Sequence, residues 1–179
     1  MEELPKPPEF IVLDDTEKNN VVEKPLIKEG VDFIFEKFPE LASIGNKEQY
    51  SQYLDSVFPS STIKDILYHG LPTIENRDDY FRDGKDGDDI RSWDFFYKNR
   101  ERALNVGQEV YVVIVDSNVD FNSPEIIYKS GPTYKTENSA IVIEQGGDEF
   151  VFKNKRQIHI LGSEKDLVSF KGFVEKLKI

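Results

Sequence analysis

The chain has 179 residues, with only two histidines, no cysteine and 34 aspartates and glutamates. The first histidine, His69, closes the apolar run Ile66-Leu67-Tyr68 and is followed directly by Gly70. A glycine at the end of a strand marks a place where the backbone comes close to something else. The second feature is Glu149, which follows Gly146-Gly147-Asp148 and leads into Phe150-Val151-Phe152. Two glycines predict a tight reversal, so Glu149 takes the first position of a strand, at the mouth of a sheet where a ligand can reach a carboxylate. Between the two lies an aromatic strand, Trp93-Asp94-Phe95-Phe96-Tyr97. The other histidine, His159, sits among Ile158, Ile160 and Leu161 and reads as a structural residue satisfied within an apolar strand.

Much familiar chemistry is excluded by inventory. Without cysteine there is no disulfide, thiolate metal site or thiol nucleophile. No Gly-x-Ser-x-Gly elbow, His-Glu-x-x-His pair or glycine-rich phosphate loop occurs. A formal net charge of −11 argues against nucleic acid as the main partner, because a polyphosphate is met with a Lys/Arg surface. What remains is one imidazole before a glycine, one aromatic strand and one strand-entry carboxylate.

The elements that must position these groups follow from periodicity and punctuation. Residues 1–27, with Pro5, Pro7, Pro8 and Pro25, read as a flexible or draped tail in which only Phe10–Leu13 could dock as an edge strand. The domain is expected over 28–179. Val31, Ile34, Phe35 and Phe38 predict a helix stopped by Pro39. Asn46 with Gln49 predicts a capping box opening a second helix before Pro59. A strand is expected over Ile63–His69, and a surface loop over the acidic stretch Glu75–Arg91, whose carboxylate spacing does not match a calcium-binding hand. Asn99 caps a short helix, Arg100–Val106, closed by Gly107. Val110–Val115 is apolar throughout and is expected to be a central strand, buried on both faces. Further strands are expected at Ile126–Tyr128, Ala140–Glu144, Phe150–Phe152 and Gln157–Leu161. Ser163 caps a terminal helix, with Asp166 at the capping-box spacing and Leu167, Phe170, Phe173, Val174 and Leu177 inward. The expected class is α+β, with a largely antiparallel, split sheet between N-terminal helices and one C-terminal helix. No apolar run is long enough to span a bilayer, and no leader precedes the tail, so a cytoplasmic protein is expected.

Tyr68-His69-Gly70, then Phe95-Phe96 with the helix around Ala103 behind it, then Asp148-Glu149-Phe150-Val151-Phe152-Lys153 and Gln157-Ile158, together resemble the ADP-ribosyltransferase superfamily. The similar branch is the His–Tyr–Glu one, that of diphtheria toxin and the poly(ADP-ribose) polymerases. The run from Pro39 to Ser163 is also similar to small ADP-ribosyltransferase domains in polyvalent proteins of phages and mobile elements. The resemblance covers roughly residues 30–178 and implies an ADP-ribosyltransferase-like fold with NAD+ in a cleft between two half-sheets. It implies that His69 hydrogen-bonds the adenosine ribose, that the Gly70 backbone holds the carboxamide, and that Phe95 stacks on nicotinamide. Tyr68 and Tyr97 are implied as neighbouring cofactor contacts, and Glu149 as the group on the nicotinamide-ribose hydroxyl. Phe95 stands where this branch carries tyrosine, and Gly147 where arginine-modifying relatives carry Glu or Gln, which turns the reading away from arginine as acceptor.

The implied reaction is glycosyl transfer. The nicotinamide–ribose bond breaks with oxocarbenium character, and a fixed carboxylate favours that charge as it spreads. The expectation is an NAD-dependent mono-ADP-ribosyltransferase acting on a protein or other acceptor, with catalytic Glu149 and His69 and no metal. The alternatives are a catalytically silent binding module of the same fold and an NAD glycohydrolase.

Overall fold

In the computed structural model the described residues are 27–71, 94–107, 109–128, 131–143 and 148–178. The N-terminal tail through residue 26, its Phe10–Leu13 run, the acidic loop Glu75–Arg91 and the Gly146-Gly147 turn lie outside them. The class is α+β, as the order of elements predicts.

Three helices open the described chain. Helix α1 (Val31–Lys37) buries Val31 and Ile34, and α2 (Leu41–Ile44) is a single turn that buries Leu41. Helix α3 (Lys47–Val57) begins with the predicted capping box: Gln49 N–H donates to Asn46 Oδ1 at 2.8 Å and Asn46 N–H to Gln49 Oε1 at 2.9 Å. Two otherwise orphaned backbone donors are thereby satisfied. Helix α4 (Arg100–Val106) is capped by Asn99 and stops at Gly107 as expected. The last helix, α5 (Glu164–Leu177), is capped by Ser163 and lies beside α2 and α3. Gly162, just before it, has φ 73°, and its Cα rests against the Phe38 ring, so a side chain there meets both backbone strain and a clash.

The strands are β1 (Leu67–Leu71), β2 (Asp94–Tyr97), β3 (Glu109–Val115), β4 (Glu125–Tyr128), β5 (Gly131–Lys135), β6 (Ser139–Val142), β7 (Glu149–Phe152) and β8 (Ile158–Ile160). They form one antiparallel sheet in the order β4-β5-β6-β7-β2-β1-β3-β8. Several expectations change. The sheet is continuous rather than two separate halves. Strand β1 starts later than predicted and runs through His69 and Gly70, because these pair with Tyr111 and Val110 of β3. Strand β3 is buried on both faces but is next to the edge strand, not central. Strand β5 was not predicted; Gly-Pro-Thr-Tyr-Lys has no apolar alternation, and the strand exists through its pairing with β4 and β6.

Each face of the sheet has its own core. On one, Tyr68, Tyr97, Val110, Val112 and Ile114 pack under the helices with Ile34, Tyr50, Tyr53 and Phe170. On the other, Leu67, Leu71, Phe96, Tyr111, Val113 and Val115 meet Ile141, Phe150 and Phe152. The sheet is also curled, as the reach of the β7–β8 link shows. In a flat sheet β7 and β8 would be four strand spacings, about 19 Å, apart. The link from Phe152 to Ile158 includes a 3-10 turn, Lys155–Gln157, and reaches only about 16 Å. Gln157 also donates to Ser139 Oγ of β6 at 2.9 Å and to Asp116 O at the end of β3, tying the two halves together across the concave face. Among the described residues the ladder between β1 and β2 has a single pair in register, Tyr68 with Tyr97. The expected split is therefore a bend with a loosened seam.

Candidate functional site

Strand order places β2 between β7 and β1, so the glutamate strand, the aromatic strand and the His-Gly strand are immediate neighbours. Register then decides which side chains share a face. Glu149 pairs with Tyr97, and Tyr97 with Tyr68, giving one row of three across the helix-covered face. Phe95 pairs with Val151 and occupies the same face two positions along β2, packed against Ala140, Val142 and Val151.

Glu149 begins β7, as its turn signal predicts. Its carboxylate accepts a hydrogen bond at 2.9 Å from Arg102 Nη2, and both side chains are roughly four-fifths buried. The Arg102 guanidinium also lies over the Tyr97 ring, 4.9 Å from its centroid. Arg102 is set by the α4 cap, since its backbone N–H donates to Asn99 Oδ1. The result is a stack of phenol, guanidinium and carboxylate in a largely buried setting, where the charges are less screened than at an open surface.

His69 lies on the other face. Its ring centroid is 5.0 Å from that of Phe96, and Nδ1–H donates to the Phe95 carbonyl across the seam between β1 and β2. Burial lowers its pKa, partly offset by that carbonyl, so the imidazole is neutral near pH 7. Gly70 is covered by α4: a Cβ at this position would collide with the carbonyl of Ala103. The close approach expected at Gly70 is thus made by a helix of the same chain.

The site residues named from the sequence therefore fall into two groups. Glu149, Tyr97, Tyr68, Phe95 and Gly70 belong to the helix-covered face, with Tyr68 and Tyr97 both inside its core. His69 belongs to the opposite face, and strand β2 lies between its strand and that of Glu149. Sequence reasoning missed Arg102, which no local pattern ties to a residue 47 positions away. It also passed over Asp94, which pairs with Phe152 and shares the face of Phe96. Burial raises the Asp94 carboxyl from the usual value near 3.8 to about 6. A signal existed in this case, since alternation puts the aspartate on the same side as Phe96.

Compared with models of known families, with curated proteins and with solved structures, the chain has no match.

Proposed function

We propose that this protein is an NAD+-dependent mono-ADP-ribosyltransferase whose substrate enters where β1 and β2 part. The observation that carries the reading is the adjacency of β7, β2 and β1, which gathers the glutamate, aromatic and His-Gly segments around one loosened seam. The residues fit the substrate in kind. A neutral imidazole at the seam suits ribose hydroxyls, the partly buried ring of Phe95 offers stacking surface for nicotinamide, and the largely buried carboxylate of Glu149 suits a developing oxocarbenium ion. In the step itself the C1′–N bond breaks and nicotinamide departs with the electron pair as a neutral base. The acceptor nucleophile then bonds C1′ and loses its proton. Glu149 orients the 2′-hydroxyl and favours the spreading charge, which requires it to exchange its bond to Arg102 for one to the ribose. The acceptor is a protein or another nucleophile, and the setting is the cytoplasm, where NAD+ is at hand. Among the described residues no helix is long and apolar enough to cross a membrane.

A second reading is favoured by the Arg102–Glu149 pair and by Phe95, which lacks a phenol hydroxyl: a module that binds NAD+ without transferring ADP-ribose. Labelled NAD+ incubated with a cell lysate separates the readings. Wild-type protein is expected to label acceptor proteins, and Glu149→Gln to lower that rate about 10²–10³-fold while retaining NAD+ binding. Free labelled ADP-ribose without labelled protein identifies a glycohydrolase. A rise in melting temperature with NAD+ but no turnover identifies the silent module. No turnover and no rise removes both.

A further inference from the structure

We propose that the cleft between β8, the 3-10 turn before it and α5 is a second site, built for a small phosphate-bearing molecule. It lies at the edge strand β8, away from the Glu149 strand, and does not depend on the transferase reading. Two adjoining cavities, of about 590 and 660 Å³, share the walls Lys155, Arg156, Ile158, His159, Lys165 and Ser169. This is enough room for a compact polar ligand.

Its charge runs against that of the chain. With a net charge of −11 overall, this cleft is lined by four cations, Lys155, Arg156, Lys165 and Lys176, against the single lining carboxylate of Glu164. Among the described residues, Arg156, Lys165 and Lys176 have no carboxylate partner. Unneutralised cations converging on a concave surface focus positive potential there and favour an anion.

The floor is a built polar group. His159 is 6% exposed, and its Nε2 donates to Asp166 Oδ1 at 2.7 Å. Asp166, fully buried, also accepts from the hydroxyls of Tyr50 and Tyr53 and from Gly162 N–H, which locks the carboxylate and hence the ring. That leaves Nδ1, which has no hydrogen-bond partner among the described residues, on a ring that walls both cavities. With Nε2–H committed to the buried carboxylate, Nδ1 can accept a hydrogen bond from a hydroxyl of a phosphate ester while the surrounding cations meet its phosphate.

Helix α5 supplies a second, independent observation. Lys165, Ser169, Gly172 and Lys176 recur at spacings of four, three and four, so they lie along one stripe facing the larger cavity. A Cβ added to Gly172 would meet nothing within 4 Å. No packing among the described residues accounts for this glycine in mid-helix, where alanine is favoured by about 1 kcal/mol. A glycine there leaves room for a ligand to lie close against the helix. The apolar walls, Ile158, Phe173 and the 67%-exposed Val168, suit the organic part of a phosphate ester rather than a bare ion.

The two histidines make the test direct, because His69 serves as an internal control for His159 in imidazole NMR. Ribose 5-phosphate is expected to shift the His159 ring resonances saturably, with half-saturation at or below about 1 mM, and to leave those of His69 in place. Arg156→Gln with Lys165→Gln should weaken the response at least tenfold. Gly172→Leu should abolish it while keeping or raising the melting temperature, an outcome that a purely structural role for the stripe does not predict. The proposal is overturned if His159 does not respond in this range, or if ribose or added chloride at equal ionic strength shifts it equally. It is also overturned if an oligoglutamate of matched charge is as effective, since the cleft would then be a docking surface for acidic peptide. NAD+ transfer at Glu149 is measured separately, so failure of either proposal leaves the other readable.

Discussion

At the scale of the residue, the most informative group is Asp94. Its carboxyl shares the apolar face of Phe96 and Phe152, and burial raises its pKa from 3.8 to about 6. The folded protein therefore holds this proton more tightly than the unfolded chain, and the side chain's favourable contribution is complete below about pH 4 and lost as pH rises through about 6. Asp94→Asn is accordingly expected to raise the melting temperature at pH 7.5, with the advantage shrinking to nothing near pH 4. A constant difference across that range in thermal melts would show that the carboxyl is solvated. His69 acts in the opposite sense, since burial lowers its pKa and the native state excludes the proton, so its contribution is lost as pH falls below about 6.5. Comparing each variant with wild type, rather than reading the whole pH profile, keeps the two apart. Both groups border the seam, and neither shift could be inferred without knowing what covers the sheet.

At the scale of the element, α4 does more than its seven residues suggest. It follows β2 after two residues, carries Arg102 to Glu149, and lays the Ala103 carbonyl on Gly70. Gly107, which ends it, is equally close to the Leu71 backbone. Helix and strand thus touch backbone to backbone at two points, and Gly70→Ala must push them apart. The expected cost is about 3 kcal/mol, read as a lower denaturation midpoint with unchanged slope. A near-neutral Gly70→Ala would mean that α4 does not seat on β1. Much of this element was legible in advance: Asn99 as cap, the span Arg100–Val106 and the stop at Gly107 all emerged from residues within a few positions of one another. The destination of Arg102 did not, because it depends on which strand lies beside β2. Asp166 is a similar case. Its capping-box spacing pointed only to its own helix start, but besides Gly162 N–H its carboxylate gathers two tyrosines of α3 and His159 of β8. Burial and that negative charge push both phenol pKa values far above the usual range.

At the scale of the whole molecule, the curled sheet is the organising fact. Among the described residues, five paired positions join β1 to β3 and four join β2 to β7, but one joins β1 to β2. The second core cluster and the Gln157 bridge also span the two halves. Native-state hydrogen exchange should therefore find the amides at the β1–β2 seam opening at a lower free energy than those between β1 and β3. Equal protection on both sides of β1 would contradict a loosened seam. By itself, the sequence determined the α+β class, the helix caps, the entry of Glu149 into its strand and the burial of β3 on both faces. These are properties of periodicity and of contacts a few residues apart, which propensity and hydrogen bonding encode locally. Only the tertiary structure decided that three marked segments are neighbours, that His69 and Glu149 leave the sheet on opposite faces, and that Arg102 holds the carboxylate. Strand order and the parity of a register are set by distant burial, and a shift of one residue reverses every face while leaving local composition unchanged.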